Sequence, residues 1–168
     1  MRPNNIMTID TCHCRPIRRN QHGIAAVELA LTLFVLTLIG AGLAELGRAF
    51  WYYDALVKGT RDAARYLSTV PTSRLASAVT PTAETADIVI NAANGAAVPG
   101  FTSANVSIVC APTACASATV PGDVTRVTVG ATYPLRIGAV FPFLPPDASG
   151  TGGWTATLSP HTTMPYMW

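Results

Sequence analysis

The chain is poor in charge. Only 12% of its 168 residues are Asp, Glu, Lys or Arg, and the net charge is +2. That small excess is not spread over a surface. Residues 1 to 23 hold four arginines (Arg2, Arg15, Arg18, Arg19) against Asp10, a net of +3, and the seven basic and eight acidic groups that remain leave the rest at −1. A phosphate backbone is held by clustered Lys and Arg, so nothing beyond the leader resembles a nucleic-acid surface, and no nucleic-acid partner is expected. The chain also lacks an internal repeat, a glycine loop able to cradle phosphate, and any motif that places a nucleophile beside His161. Asp123 and Asp147 sit in turn sequences, where aspartate is a structural residue. No catalytic residue, metal site or cofactor is therefore expected, and the chain does not read as an enzyme.

What it does have is one long apolar segment. Ile24 to Ala44 is 21 residues with a single charge, Glu28. At about 1.5 Å per residue it matches the ~30 Å hydrocarbon core of a bilayer. Arg15, Arg18 and Arg19 precede it, and the mixed set Glu45, Arg48 and Asp54 follows. Positive charge collects on the cytoplasmic side of a span, so the N-terminus is expected inside and the C-terminal part outside. A secretory signal cut after Gly42-Leu43-Ala44 is the rival reading, with Arg18-Arg19 as its basic start. Against it stand the acid within the apolar stretch and a helical pattern that continues through the proposed cut.

Beyond Ala44 the helix is expected to continue to Thr69. Leu46, Phe50, Tyr53, Val57, Ala64 and Leu67 recur at three- and four-residue steps, Glu45 and Arg48 or Asp54 and Lys58 form attractive pairs, and Pro71 ends the run. The cluster Phe50-Trp51-Tyr52-Tyr53 is expected at the membrane-water boundary. Together these describe a stalk of roughly 70 Å. Residues 71 to 80 read as a connector, and Pro81 to Ala93 as a short helix with Thr80 as cap and Asn94-Gly95 at its end. Period-two alternation then predicts two antiparallel strands. One carries Val106, Ile108 and Cys110, the other Val127, Val129, Ala131 and Tyr133, with Pro121-Gly122-Asp123 between them. Trp154, Ala156 and Leu158 supply a third strand after the loop Pro142 to Gly153. The expected class is α+β: a basic leader (1 to 23), a long transmembrane and stalk helix (24 to 69), and a small extracytoplasmic domain (70 to 168) with a short helix and an antiparallel sheet.

Three groups of residues could carry chemistry. An ionised Glu28 within the membrane costs about 2.5–3.5 kcal/mol unless it is paired or reaches the interface. Cleavage after Gly23 would free the Ile24 α-amine four residues away, on the same helical face or on a neighbouring subunit at the same depth. Otherwise Glu28 lies near enough to the surface to be solvated, and the leader stays as a cytoplasmic tail. A protease cutting there needs an extended, uncrowded backbone, which Gly23 suits. Cys110 and Cys115 flank Ala111-Pro112-Thr113-Ala114 and are expected to form a disulfide in an oxidising compartment, metal binding being the alternative. Cys12-His13-Cys14 reads as incidental thiols on the reducing side.

The stretches Gly23-Ile-Ala-Ala-Val-Glu28-Leu-Ala-Leu, Glu45-Leu-Gly-Arg-Ala-Phe50 and Thr60-Arg-Asp-Ala-Ala-Arg-Tyr66 resemble the TadE-like pseudopilins of bacterial tight-adherence (Flp) pilus systems. The resemblance covers residues 23 to 68, and more loosely the strand Val127 to Pro134. It implies a prepilin peptidase cutting between Gly23 and Ile24, with Glu28 as the fifth residue of the product. It also implies a minor pilin that assists pilus assembly together with other pilins or pseudopilins and the inner-membrane assembly platform. Leu29 stands where phenylalanine or tyrosine often follows the glutamate, and Phe34 where a proline often kinks the helix. The alternative from another class is an uncleaved, membrane-anchored periplasmic binding or structural module.

Overall fold

The computed structural model describes residues 22–75, 79–138 and 153–167. The leader arginines, Asp10, Cys12-His13-Cys14 and Asp147 lie outside the described residues, as does most of the loop Pro142 to Gly153. The architecture is α+β: a long N-terminal helix, then a small domain of helix and antiparallel sheet. The chain divides into two compact units, Met1–Leu38 and Ile39–Trp168.

Helix α1 is His22–Ser68, 47 residues. Its last turn tightens, with Thr69 N donating to Tyr66 O (3.1 Å) and Val70 N to Leu67 O (3.3 Å) before Pro71. The connector expected at 71 to 80 instead holds a single helical turn, α2 (Thr72–Leu75), closed by Arg74 N and Leu75 N on Pro71 O. Proline lacks an N–H but keeps its carbonyl, so it ends one helix and seeds the next. Helix α3 is Val79–Gly95, longer at both ends than expected. Thr80 is thus its second residue and Pro81 its third, still in the first turn, where N–H groups have no intrahelical partner to lose. Its C-terminus passes beyond Gly95 to Ala97, which takes the left-handed conformation (φ 56°). Ala97 N bonds Asn94 O (2.9 Å) and Val98 N bonds Ala93 O (3.0 Å), the pairing that satisfies the last carbonyls of a helix.

Strands β1 (Val106–Pro112), β2 (Val124–Ala131) and β5 (His161–Pro165) form one antiparallel sheet in the order β1-β2-β5. Strands β3 (Tyr133–Ile137) and β4 (Trp154–Leu158) form a separate antiparallel pair. Two sequence readings need correction. Tyr133 does not end the β2 row but opens β3, because the Thr132 amide bonds Asn105 O (2.7 Å) and leaves the β1-β2 ladder. The third strand of the main sheet is β5, while Trp154, Ala156 and Leu158 pair with β3. The turn between β1 and β2 is as read. Gly122 has φ 101°, and the Asp123 carboxylate accepts from Thr119 N (2.7 Å) and Val120 N (3.0 Å). Those backbone bonds hold the Asp123 carboxyl below its ordinary pKa.

The core lies between the C-terminal half of α1, α3 and the sheets. Tyr52, Leu56, Ala63, Ala64 and Leu67 meet Val89 and Ala93, and Val124, Val127, Val129, Ala131 and Leu135 cover them from the strands. At Gly59 the helices approach so closely that a Cβ would stand 2.8 Å from Ala92 Cβ. Buried hydroxyls are satisfied locally: Thr85 Oγ1 donates to Pro81 O (2.5 Å), and Thr60 Oγ1 to Val57 O (3.0 Å), with Thr162 Oγ1 3.3 Å away. The chain end is tied to the end of α1 by Met167 N on Ser68 O (3.2 Å) and by the Tyr166 hydroxyl on Val70 O (2.5 Å).

Candidate functional site

The first turns of α1 hold Gly23, Ile24 and Glu28. Ile24 and Glu28 are one turn apart, and with Val27 and Leu31 they line a shallow apolar surface. Every residue from Gly23 to Thr37 is exposed. Two hydroxyls of this run bond back into the helix: Thr32 Oγ1 donates to Glu28 O (2.8 Å) and Thr37 Oγ1 to Phe34 O (2.7 Å). Such back-bonding is what a hydroxyl needs where water is absent. Among the described residues Glu28 forms no ion pair. The helix spanning Gly23–Ser68 is long and apolar enough to cross a membrane.

The backbone at the expected cut belongs to the first turn of α1. Gly23 and Ile24 are helical, not extended, because α1 begins at His22. A Cβ at Gly23 would have no neighbour within 4 Å, so the backbone there is uncrowded. The first four N–H groups of a helix have no intrahelical partner, so unwinding this turn sacrifices few hydrogen bonds.

Residues 23–65 match the TadE-like protein family. The match begins at Gly23 and stops three residues short of the end of α1, so the TadE-like segment is helix throughout. It contains Gly23, Ile24 and Glu28 and excludes Cys110 and Cys115. No curated protein and no solved structure matches the chain.

Further along, the TadE-like segment changes character. Glu45 is buried and accepts from Arg48 Nη2 (2.5 Å), which also donates to the Arg136 carbonyl on β3 (2.8 Å). The pair of Glu45 and Arg48 was readable from its three-residue spacing. The bond to Arg136, 88 residues away, left no sequence signal. The aromatic cluster divides, with Phe50, Trp51 and Tyr53 exposed and Tyr52 in the core. Tyr52 is buried edge-on against Tyr133, with ring centroids 6.3 Å apart, and Trp51 Nε1 donates to Ala96 O (3.3 Å). Phe50 and Tyr53 stay exposed. Successive helical residues turn by about 100°, so four adjacent rings cannot share one environment. Burial raises the Tyr133 phenol pKa, and its hydroxyl donates to Pro99 O (2.9 Å).

Cys110 and Cys115 are bonded, with Cα atoms 5.1 Å apart, at the end of β1. Among the described residues no three His, Cys, Asp or Glu side chains gather into a metal-binding group. The Tyr66 hydroxyl donates to Glu84, and Arg74 lies 3.5 Å from the same carboxylate, linking α1, α2 and α3. The bond to Glu84 raises the Tyr66 pKa.

Proposed function

We propose that this chain is a non-enzymatic minor pilin or pseudopilin that assists assembly of Flp-type adhesive pili. In this reading it sits in the bacterial inner membrane by one span, with its N-terminus cytoplasmic and the Ile39–Trp168 unit largely extracytoplasmic. A prepilin peptidase cuts between Gly23 and Ile24, and the product works with other pilins or pseudopilins and the assembly platform. The observation that carries the reading is the TadE-like match over a helix whose exposed apolar run holds one carboxylate, Glu28, a single turn from Ile24. After the cut, the Ile24 α-amine and Glu28 can neutralise each other within a subunit or between subunits, which offsets the cost of placing either charge in lipid. Between subunits, that pairing also sets an axial register.

The second reading is an uncleaved, membrane-anchored module, and the helical backbone through Gly23 and Ile24 favours it. Mass spectrometry of the protein extracted from membranes that contain the peptidase separates the two. A terminus at Ile24 supports the pseudopilin; an intact leader sinks it. Glu28→Ala is expected to insert normally yet lose pilus formation and recovery of partner subunits. Unchanged assembly in that variant would remove the pairing from the account.

A further inference from the structure

We infer that the edge of the outer domain formed by Trp154, Arg136 and Arg48, together with Leu46 and Phe50, rests on the phospholipid headgroups of the membrane that α1 enters. Register fixes where this edge lies within the Ile39–Trp168 unit. Tyr133, at the start of β3, packs on Tyr52, and Arg136 three residues later takes its hydrogen bond from Arg48. Strand β3 therefore runs toward lower helix numbers, toward the Ala44 end of the apolar run. Ile137 and its partner Trp154 form the last pair of that two-stranded sheet, at the end nearest Ala44. Arg48 is four residues past Ala44, about 6 Å along the helix, and the polar layer on each side of a ~30 Å hydrocarbon core is itself about 5–7 Å thick.

The chemistry of this edge is that of a membrane-surface contact. Trp154 is 67% exposed on a strand, and Phe50 is 66% exposed. Leu46, Phe50 and Tyr53 line an apolar cleft with Leu158, continuous with exposed Leu43 in the apolar run itself. Tryptophan favours headgroup depth because its ring is apolar and its N–H still needs a partner. Arg48, already paired with Glu45, and Arg136 line the adjoining cleft with Thr155, and the five N–H donors of a guanidinium allow a phosphate oxygen to be bound beside an existing partner. A bilayer fits better than a second copy of the chain, because exposed Leu43, Leu46 and Phe50 follow one another at three- and four-residue steps and so lead from the apolar run to this edge.

The inference rests on α1 crossing a bilayer, so the experiment reports on both. The full chain, with Trp51→Phe and Trp168→Phe leaving Trp154 as the only indole, is reconstituted into phosphatidylethanolamine/phosphatidylglycerol vesicles and floated on a density gradient. Trp154 emission should shift to the blue, and lipids brominated close to the headgroup should quench it about twofold more than lipids brominated at the chain ends. Protein that floats but whose Trp154 is quenched by neither lipid overturns the docking and leaves the span intact. Protein that does not float overturns both. Shielding that disappears as lipid dilutes the protein would make a second copy the occupant and also overturn the inference. Because Trp51 bonds Ala96, a second comparison uses the otherwise unchanged chain: Trp154→Phe should lower the headgroup-dependent quenching, and no decrease in that variant counts against the proposal.

Discussion

Helix α1 passes through two regimes. From Ile24 to Ala44 it is apolar nearly all round and buries almost nothing, whereas from Glu45 to Ser68 it carries seven charged residues and buries Tyr52, Leu56, Thr60, Ala63, Ala64 and Leu67. The more apolar half is thus the less buried. Apolarity alone does not place a residue in a core; arrangement decides. A stripe of apolar residues needs one neighbour, and α3 with the sheets supplies it, but a helix apolar on every face needs a surrounding medium. Glu45 and Arg48 stand at the change between the two, paired with each other and tied to β3.

The strongest attempt to break this comparison is a matched pair of truncations. Leu56→Ala, at a fully buried position, should cost about 2–5 kcal/mol of outer-domain stability, while Leu36→Ala should leave thermal unfolding in detergent unchanged. Equal shifts would mean that the two halves are not energetically distinct. Next in size is the disulfide. Replacing Cys110 and Cys115 with serine should lower stability of the outer domain by about 2 kcal/mol, read as earlier proteolysis and matched by adding reductant to the unchanged chain. A smaller effect tests the helix contact itself. Gly59→Ala gains helix propensity but crowds Ala92, for a net cost of about 1 kcal/mol that Ala92→Gly should relieve. If Gly59→Ala stabilises instead, α1 and α3 separate more readily than their packing implies.

The smallest effect is a pH dependence far from the helix. The Asp123 carboxyl has a lowered pKa in the folded chain, so its contribution is complete above the ordinary aspartate range and is lost as pH falls through the lowered folded value. Protection of the Thr119 and Val120 amides, measured as exchange relative to the free-peptide rate at each pH, should fall on acidification through that window. In Asp123→Ala protection should be low at every pH, and an unchanged pH response in that variant would reject the assignment.

Much of this structure was legible because its signals are local. The apolar helix from Ile24, the stop at Pro71, the alternation in β1 and β2 and the turn at Gly122 each depend on a few neighbouring residues. Strand β5 was missed because His161, Thr162, Thr163, Met164 and Pro165 hold little apolar alternation, and it is a strand because β2 offers an edge. Tyr133 looked like a continuation of Ala131 because alternation passes over Thr132, and only the bond to Asn105 reveals the break. At the candidate site, the motif of Gly23, Ile24 and Glu28 was readable. That the helix extends back through Gly23 was not, since glycine's weak helix propensity gives no local signal for it.

The ties between the ends of the fold also bear on the order in which it forms. Thr60 meets Thr162 across 102 residues, and Tyr166 reaches Val70 across 96. Helical hydrogen bonds close loops of four residues, whereas these contacts close most of the outer domain, and the entropy of closure grows with the logarithm of loop length. Helix α1 is therefore the kinetically early element, a template already rigid when β5 arrives to complete the sheet.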